Sequence, residues 1–167
     1  KDSHKGIIDK ETWNAVQEEF DRREKFMQKH GTDRYSYGSD CYPFCEKIFC
    51  GECGSLFTRH SWKSRGIVQW QCKNHRKDGK VACINSYVDN VNLEKGFVKA
   101  LKILIEEREK YMKRWNAMKS DGTPLEKIRA EQMMETVEND PLKRFVPEVA
   151  QLILCEVIVL EAKKYEF

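Results

Sequence analysis

The sequence has no stretch approaching the roughly 20 consecutive apolar residues that a helix needs to span a bilayer. Its longest apolar run, residues 152–160, is interrupted by Glu156. No membrane-spanning segment and no membrane partner are expected. A cleavable leader is also missing, since the chain opens on lysine, aspartate and histidine without a following apolar core. With no initiator methionine, the chain reads as a piece cut from a longer protein. Nor is there an even set of cysteines. Seven is a poor count for a secreted disulfide framework, whereas a reducing compartment favours metal-bound thiolates. The expected location is cytoplasmic.

Negative charge is nearly absent from one segment. Residues 54–88 carry seven Lys/Arg against Asp78 alone, a local charge of +6, while the flanks are close to neutral and the whole chain is only +3. A solvated surface would mix its signs, as the flanks do. A one-signed segment points to a polyanion-binding face.

What is present is 40% hydrophobic and 34% charged residues over 167 positions. That suits modest cores and long exposed helices better than one thick globule. Residues 9–29 predict a helix, with Asp9 as N-cap and Ile8 and Trp13 placed for a hydrophobic staple. Trp13, Val16 and Phe20 recur at helical spacing, and this stripe is expected to be packed. Residues 30–46 read as linker or irregular loop. Strands are expected at 47–49, 55–62 and 67–72, with a turn at 63–66 in which Gly66 can take positive φ. Residues 74–80 read as a further loop.

After residue 90 the period changes. Phe97, Leu101, Leu104, Arg108, Tyr111, Trp115 and Met118 alternate four and three residues apart, a seven-residue seam with one charged gap. Asp121-Gly-Thr-Pro124 breaks it, with Thr123 as a cap and Pro124 at the first helical position. Residues 125–138 form a second helix with a weaker apolar face (Leu125, Ile128, Met133, Val137), so an antiparallel helical hairpin is expected. A last helix begins near Pro147, and residues 156–160 are β-branched enough for a buried strand. Where helix gives way to strand is open at this level.

Cys50-Gly-Glu-Cys53 has the two-residue spacing that lets one tight turn aim two sulfurs at one ion. Cys72 and Cys83 lie beyond the hairpin, with 18 residues between Cys53 and Cys72 and 10 between Cys72 and Cys83. Four thiolates at the two ends of a hairpin suit a closed, tetrahedral, structural zinc site, a zinc ribbon. A closed site leaves no coordination position for catalysis, which disfavours a metal-dependent enzyme. One structural Zn2+ is expected, and it would supply much of the folding free energy of so small a unit. His75 is an alternative to Cys83 as fourth ligand. Cys41 and Cys45 read as free thiols or a loop feature, and Cys155 as buried core.

Arg59, His60, Lys63 and Arg65 cluster near the hairpin tip, and Lys73, Arg76, Lys77 and Lys80 decorate the second knuckle. A two-stranded ribbon is narrow enough for a DNA major groove, and these cations would neutralise phosphates. Trp62 and Trp70 are assigned to the ribbon core.

The run His4-Lys-Gly-Ile-Ile-Asp-Lys-Glu-Thr-Trp13-Asn-Ala-Val-Gln17, followed by Lys47-Ile-Phe-Cys-Gly-Glu-Cys-Gly54, resembles the C-terminal DNA-binding half of large serine recombinases, the phage integrases and mobile-element transposases. In that family an H-x-x-I-I segment leads into a helix and then a zinc ribbon, whose metal ligands Cys50, Cys53, Cys72 and Cys83 match. The resemblance implies four parts. They are a linker and leading helix (1–40), the ribbon (41–95), a helical hairpin or coiled coil that contacts other recombinase subunits (96–140), and a C-terminal helix and strand returning to the ribbon (141–167). The implied fold class is α+β, a zinc ribbon flanked by an N-terminal helix and an antiparallel helical hairpin. The implied function is recognition of double-stranded attachment-site DNA, in a bacterial or phage-encoded, nucleoid-associated protein. Nothing in the chain resembles the family's catalytic serine domain, so no activity is expected of it alone. The rival reading is a zinc-ribbon interaction module docking an acidic protein partner.

Overall fold

A computed structural model describes residues 7–32, 42–77, 80–85, 87–138, 143–160 and 164–167. Cys41 and part of the 74–80 loop fall outside the described residues. The leading helix α1 spans Lys10–His30. Asp9 starts it as expected: its carboxylate accepts the Thr12 backbone N–H at 2.8 Å and the Thr12 hydroxyl at 2.7 Å, satisfying donors the first turn would otherwise leave unpaired. Gly31 stops it at φ 59°, a left-handed conformation in which a Cβ would be strained.

Three small sheets follow among the described residues. Strands β2 (Phe57–Trp62) and β3 (Ile67–Cys72) form an antiparallel hairpin whose turn is a single 3-10 turn, Lys63–Arg65, ending on Gly66 at φ 63°. β6 (Tyr87–Asp89) adds to β3. β4 (Arg76–Lys77) and β5 (Lys80–Val81) make a two-residue ladder within the segment expected to be loop. β1 (Ile48–Cys50) pairs in parallel with β7 (Val157–Val159), which pairs antiparallel with β8 (Tyr165–Glu166). The β-branched run near the C-terminus is therefore a strand.

The seven-residue seam divides at Glu107. Helix α2 (Asn90–Glu106) ends there and α3 (Arg108–Asp121) begins, with no Pro or Gly to announce the break. The two halves of the seam have different partners. Phe97 and Leu101 join the core formed by Phe57, Trp70, Val88, Leu93, Val157 and Val159. Trp115, with Tyr111 and Met118 against it, packs on Ala130 and Val137 of α4 (Pro124–Glu138). The α3–α4 connection is a reciprocal cap. The Thr123 N–H donates to the Glu126 carboxylate at 2.9 Å and the Thr123 hydroxyl accepts the Glu126 N–H at 3.3 Å. A short helix α5 (Pro147–Ile153) then leads to β7. The α+β architecture with a flanking helix and a helical hairpin is as expected.

Helix α1 corrects one expectation. Trp13 is 55% exposed, and Ile8, Val16 and Phe20 are exposed beside it, so the apolar stripe faces outward. The inward face is the charged one. α1 packs on α4 through buried Ala15 and an ion network in which Glu19 takes Arg22 and Arg23 at 2.7 Å each and Arg129 of α4 at 3.1 Å. Small Ala15 permits the approach, and guanidinium–carboxylate pairing takes the place of apolar contact. At its C-terminal end α1 docks on β1, where the His30 ring stacks on Phe49 at 3.7 Å while His30 and Lys29 reach Glu156 at 2.7 and 2.9 Å.

Burial alone would raise the Glu19 pKa. Bonds from Arg22 and Arg23 and the charge of Arg129 outweigh it and hold the carboxyl at about 2, against an ordinary value of 4.5. A folded-state value below the unfolded one stabilises the protein above pH 4.5, and the gain is lost as pH falls toward 2. Glu19→Gln should therefore cost about 2 kcal/mol near neutrality, after allowance for solvent screening. The gap should close in acid, as read from urea melts of both proteins across that window.

Candidate metal centre and basic hairpin

Each knuckle is a tight turn that brings two thiols to one point. In the first, the Gly54 N–H donates to the Cys50 carbonyl at 2.8 Å and the Cys50 N–H to the Ser55 carbonyl at 2.9 Å. Gly54 stands at φ 69°, where a side chain would be strained. In the second, the His75 N–H donates to the Cys72 carbonyl at 2.9 Å and the Ala82 N–H to the His75 carbonyl at 2.9 Å, so the β4–β5 ladder carries Cys83 back toward Cys72. All four sulfurs of Cys50, Cys53, Cys72 and Cys83 lie within 4.8 Å of one another.

The separations discriminate between chemistries. Cys50–Cys83 is 3.6 Å and Cys53–Cys72 is 3.5 Å, far beyond the about 2.05 Å of a disulfide. A zinc–sulfur bond of about 2.3 Å in a tetrahedron implies sulfurs about 3.8 Å apart. The donor set therefore fits a tetrahedral thiolate-bound metal. Cys50, Cys72 and Cys83 are buried and Cys53 is exposed, so the solvent side of the site is the first knuckle.

Burial pushes the Cys83 thiol up to about 11 and the Cys72 thiol higher still, with neighbouring thiols adding to the effect. Burial also acts upward on Cys53, but the Ser55 backbone N–H and the Cys72 thiol outweigh it and hold it at about 7. Cys72 and Cys83 thereby hold their protons, and a metal must displace them.

Two residues beyond the cysteines shape the centre. His75 does not join the cluster; its Nδ1 meets the Cys83 carbonyl at 2.9 Å and braces the knuckle. Asn85 was not anticipated. Its buried amide donates to the Cys50 sulfur at 3.3 Å and to the Val159 carbonyl at 3.2 Å, tying the centre to β7. The sequence clue is only its place two residues after Cys83.

Residues 43–102 match the family described as the recombinase zinc beta ribbon domain. The match supports a recombinase-derived zinc ribbon over this segment. The match spans both knuckles, the hairpin and most of α2, and the clustered thiols are consistent with a structural zinc in the ribbon. No curated protein and no solved structure matches the chain.

The ribbon distributes its basic residues unevenly. Arg65, Lys73, Arg76 and Lys80 are exposed, as is His60. Lys63 and Lys77 lie in the hairpin turn and in β4, and their side chains fall outside the described atoms. Arg59 points to the inner face, over the Tyr42 ring at 3.9 Å, with Nε buried and without an acceptor among the described residues. The alternation of β2 explains this: Arg59 pairs with buried Trp70, whereas His60 pairs with Gln69 on the outer face.

Of the two ribbon tryptophans, only Trp70 is core. Trp62 is 46% exposed, 6.3 Å from the His60 ring on the outward face, which corrects its assignment. Cys155 is likewise exposed rather than core, and lies 3.7 Å from Arg129. Cys45 is half-buried, and burial pushes its thiol upward. Among the described residues no helix is long and apolar enough to cross a membrane.

Proposed function

We propose that the chain is the DNA-recognising part of a site-specific serine recombinase. One Zn2+ on Cys50, Cys53, Cys72 and Cys83 would hold the hairpin, and the outward face of β2–β3 would meet double-stranded attachment-site DNA. The observation that carries this is the exposure of Arg65, Lys73, Arg76 and Lys80 on a recombinase-type ribbon, in a segment whose charge is +6. Exposed cations on a narrow ribbon can neutralise phosphates, while His60, Trp62 and Gln71 offer side chains toward a groove. Arg59 serves as packing against Tyr42 rather than as a contact. The α3–α4 hairpin would meet other recombinase subunits at synapsis. Strand exchange itself would fall to a catalytic serine domain of the parent protein.

The test is a gel-shift titration of the zinc-loaded chain on an attachment-site duplex over a range of salt concentrations. Affinity should fall steeply with salt, and reversing Arg65, Lys73 and Arg76 to glutamate together should weaken it by about tenfold or more while reducing the salt slope. No shift at low salt would sink the reading. Capture of an acidic protein partner through the same face, with negligible DNA affinity, would favour the interaction-module alternative.

A further inference from the structure

A cavity of about 460 Å³ opens between α1, α4 and α5, away from the hairpin. Its wall brings together Arg22, Arg23, Lys47 and Arg129, against the carboxylates of Glu19 and Glu148. Glu19 is already engaged by three guanidiniums. Lys47 is only 3% exposed, and among the described residues its ammonium has a single acceptor, the Leu154 carbonyl at 2.9 Å. Among the described residues no carboxylate pairs with it. The Nε of Arg129 is also buried, without an acceptor among the described residues.

A buried ammonium with three N–H donors and one carbonyl partner is costly, and so is an orphaned guanidinium N–H. Both residues line the same cavity, which has two more positive than negative side chains. Burial, with Arg22 and Arg129 adding to it, pushes the Lys47 pKa down, so the strain on its charge is felt locally. An anion with several acceptor oxygens offers partners to the Lys47 ammonium and offsets the surplus positive charge that Arg129 helps to create. A carboxylate offers two oxygens in a plane; a tetrahedral oxyanion offers four directed to different walls, which suits donors arriving from the turn before β1 and from two helices.

We propose that this cavity is a phosphate-binding site, with Lys47 and Arg129 as its principal donors. The phosphate is either free or carried on a nucleic-acid backbone, and the volume leaves room for an ester. This rests on the cavity alone and is independent of the hairpin's role.

The experiment is a thermal-unfolding titration of the zinc-loaded chain with inorganic phosphate, against chloride at matched ionic strength. A saturable rise in Tm specific to phosphate is expected. Arg129→Gln should weaken the apparent affinity by about tenfold, since a charge-assisted bond is lost. Lys47→Met, which removes the buried charge but keeps its volume, should do the same while leaving Tm without phosphate equal or higher. Equal responses to phosphate and chloride, or an unchanged phosphate response in both variants, would overturn the proposal. A second arm separates the sources. If Arg129→Gln lowers the salt slope of binding to a mixed-sequence duplex by about one, and phosphate competes, the site takes a backbone phosphate. An unchanged slope beside a lost phosphate response assigns it to free phosphate.

Discussion

Chelating zinc from the chain should unfold the ribbon while leaving the α3–α4 hairpin helical. The four thiols sit where β1, β3 and the two knuckles converge, and three of them are buried in the core that contains Phe57, Trp70 and Val88. Small zinc domains draw about 10–16 kcal/mol of apparent folding free energy from their metal, more than a three-stranded sheet of this size can replace. Trp115, Ala130 and Val137 form a separate cluster with no thiol in it. Near-ultraviolet dichroism from Trp70 should therefore vanish with the metal, and far-ultraviolet helical signal should largely remain. Cys72→Ser should reproduce the effect, with one zinc lost by native mass spectrometry. The pH dependence has a defined sign. Because Cys72 and Cys83 hold their protons more tightly than an ordinary thiol, metal affinity must fall as pH is lowered. Retention of Trp70 dichroism in the metal-free protein would show that the ribbon does not depend on the centre.

Trp70→Ala is expected to cost about 3–5 kcal/mol, the range for deleting a large buried aromatic. Trp70 is among the largest fully buried side chains, and its indole N–H donates to the Asn90 side-chain oxygen at 2.9 Å at the start of α2. The truncation opens a cavity between β3 and α2 and strands a partly buried acceptor. Trp70→Phe separates the two terms and should cost much less, with about 1 kcal/mol belonging to the hydrogen bond. Trp62→Ala, on the outward face of the same hairpin, should change stability by no more than about 0.5 kcal/mol. Urea denaturation of the zinc-loaded proteins reads all three. If Trp62→Ala proved as damaging as Trp70→Ala, the outward placement of Trp62 would be wrong.

The contrast between these two tryptophans shows what the sequence could carry. Period two along a strand separates the faces, yet nothing local says which face is inward. Helix ends were legible because their chemistry is local: Asp9 with Thr12, and Thr123 with Glu126, lie three residues apart. The thiol cluster was legible because knuckle spacing is local as well. The inverted face of α1 was not. Periodicity located Trp13, Val16 and Phe20 correctly, but the inward face is chosen by Ala15 and by Glu19 meeting Arg129, a partner far along the chain. Cys155 was misread for a related reason: it follows the apolar residues of α5 in sequence, but the chain turns there and leaves it at the mouth of a charged cavity. The division of the seam at Glu107 had no signal, since both halves keep the same repeat while packing on different partners.

The parallel pairing of β1 with β7 has a consequence for synthesis. The bond from Lys47 to the Leu154 carbonyl, beside that pairing, spans 107 residues. A ribosome adding about 5–20 residues per second leaves roughly 5–20 s between the two partners. The four cysteines emerge well inside that interval, so a nascent chain can gather its metal while the edge of β1 still waits for a neighbour. An open strand edge bearing Ile48 and Phe49 is a template for pairing with another chain. Early metal capture would thus act as a placeholder, keeping the first knuckle folded until the chain's own far end arrives to close it.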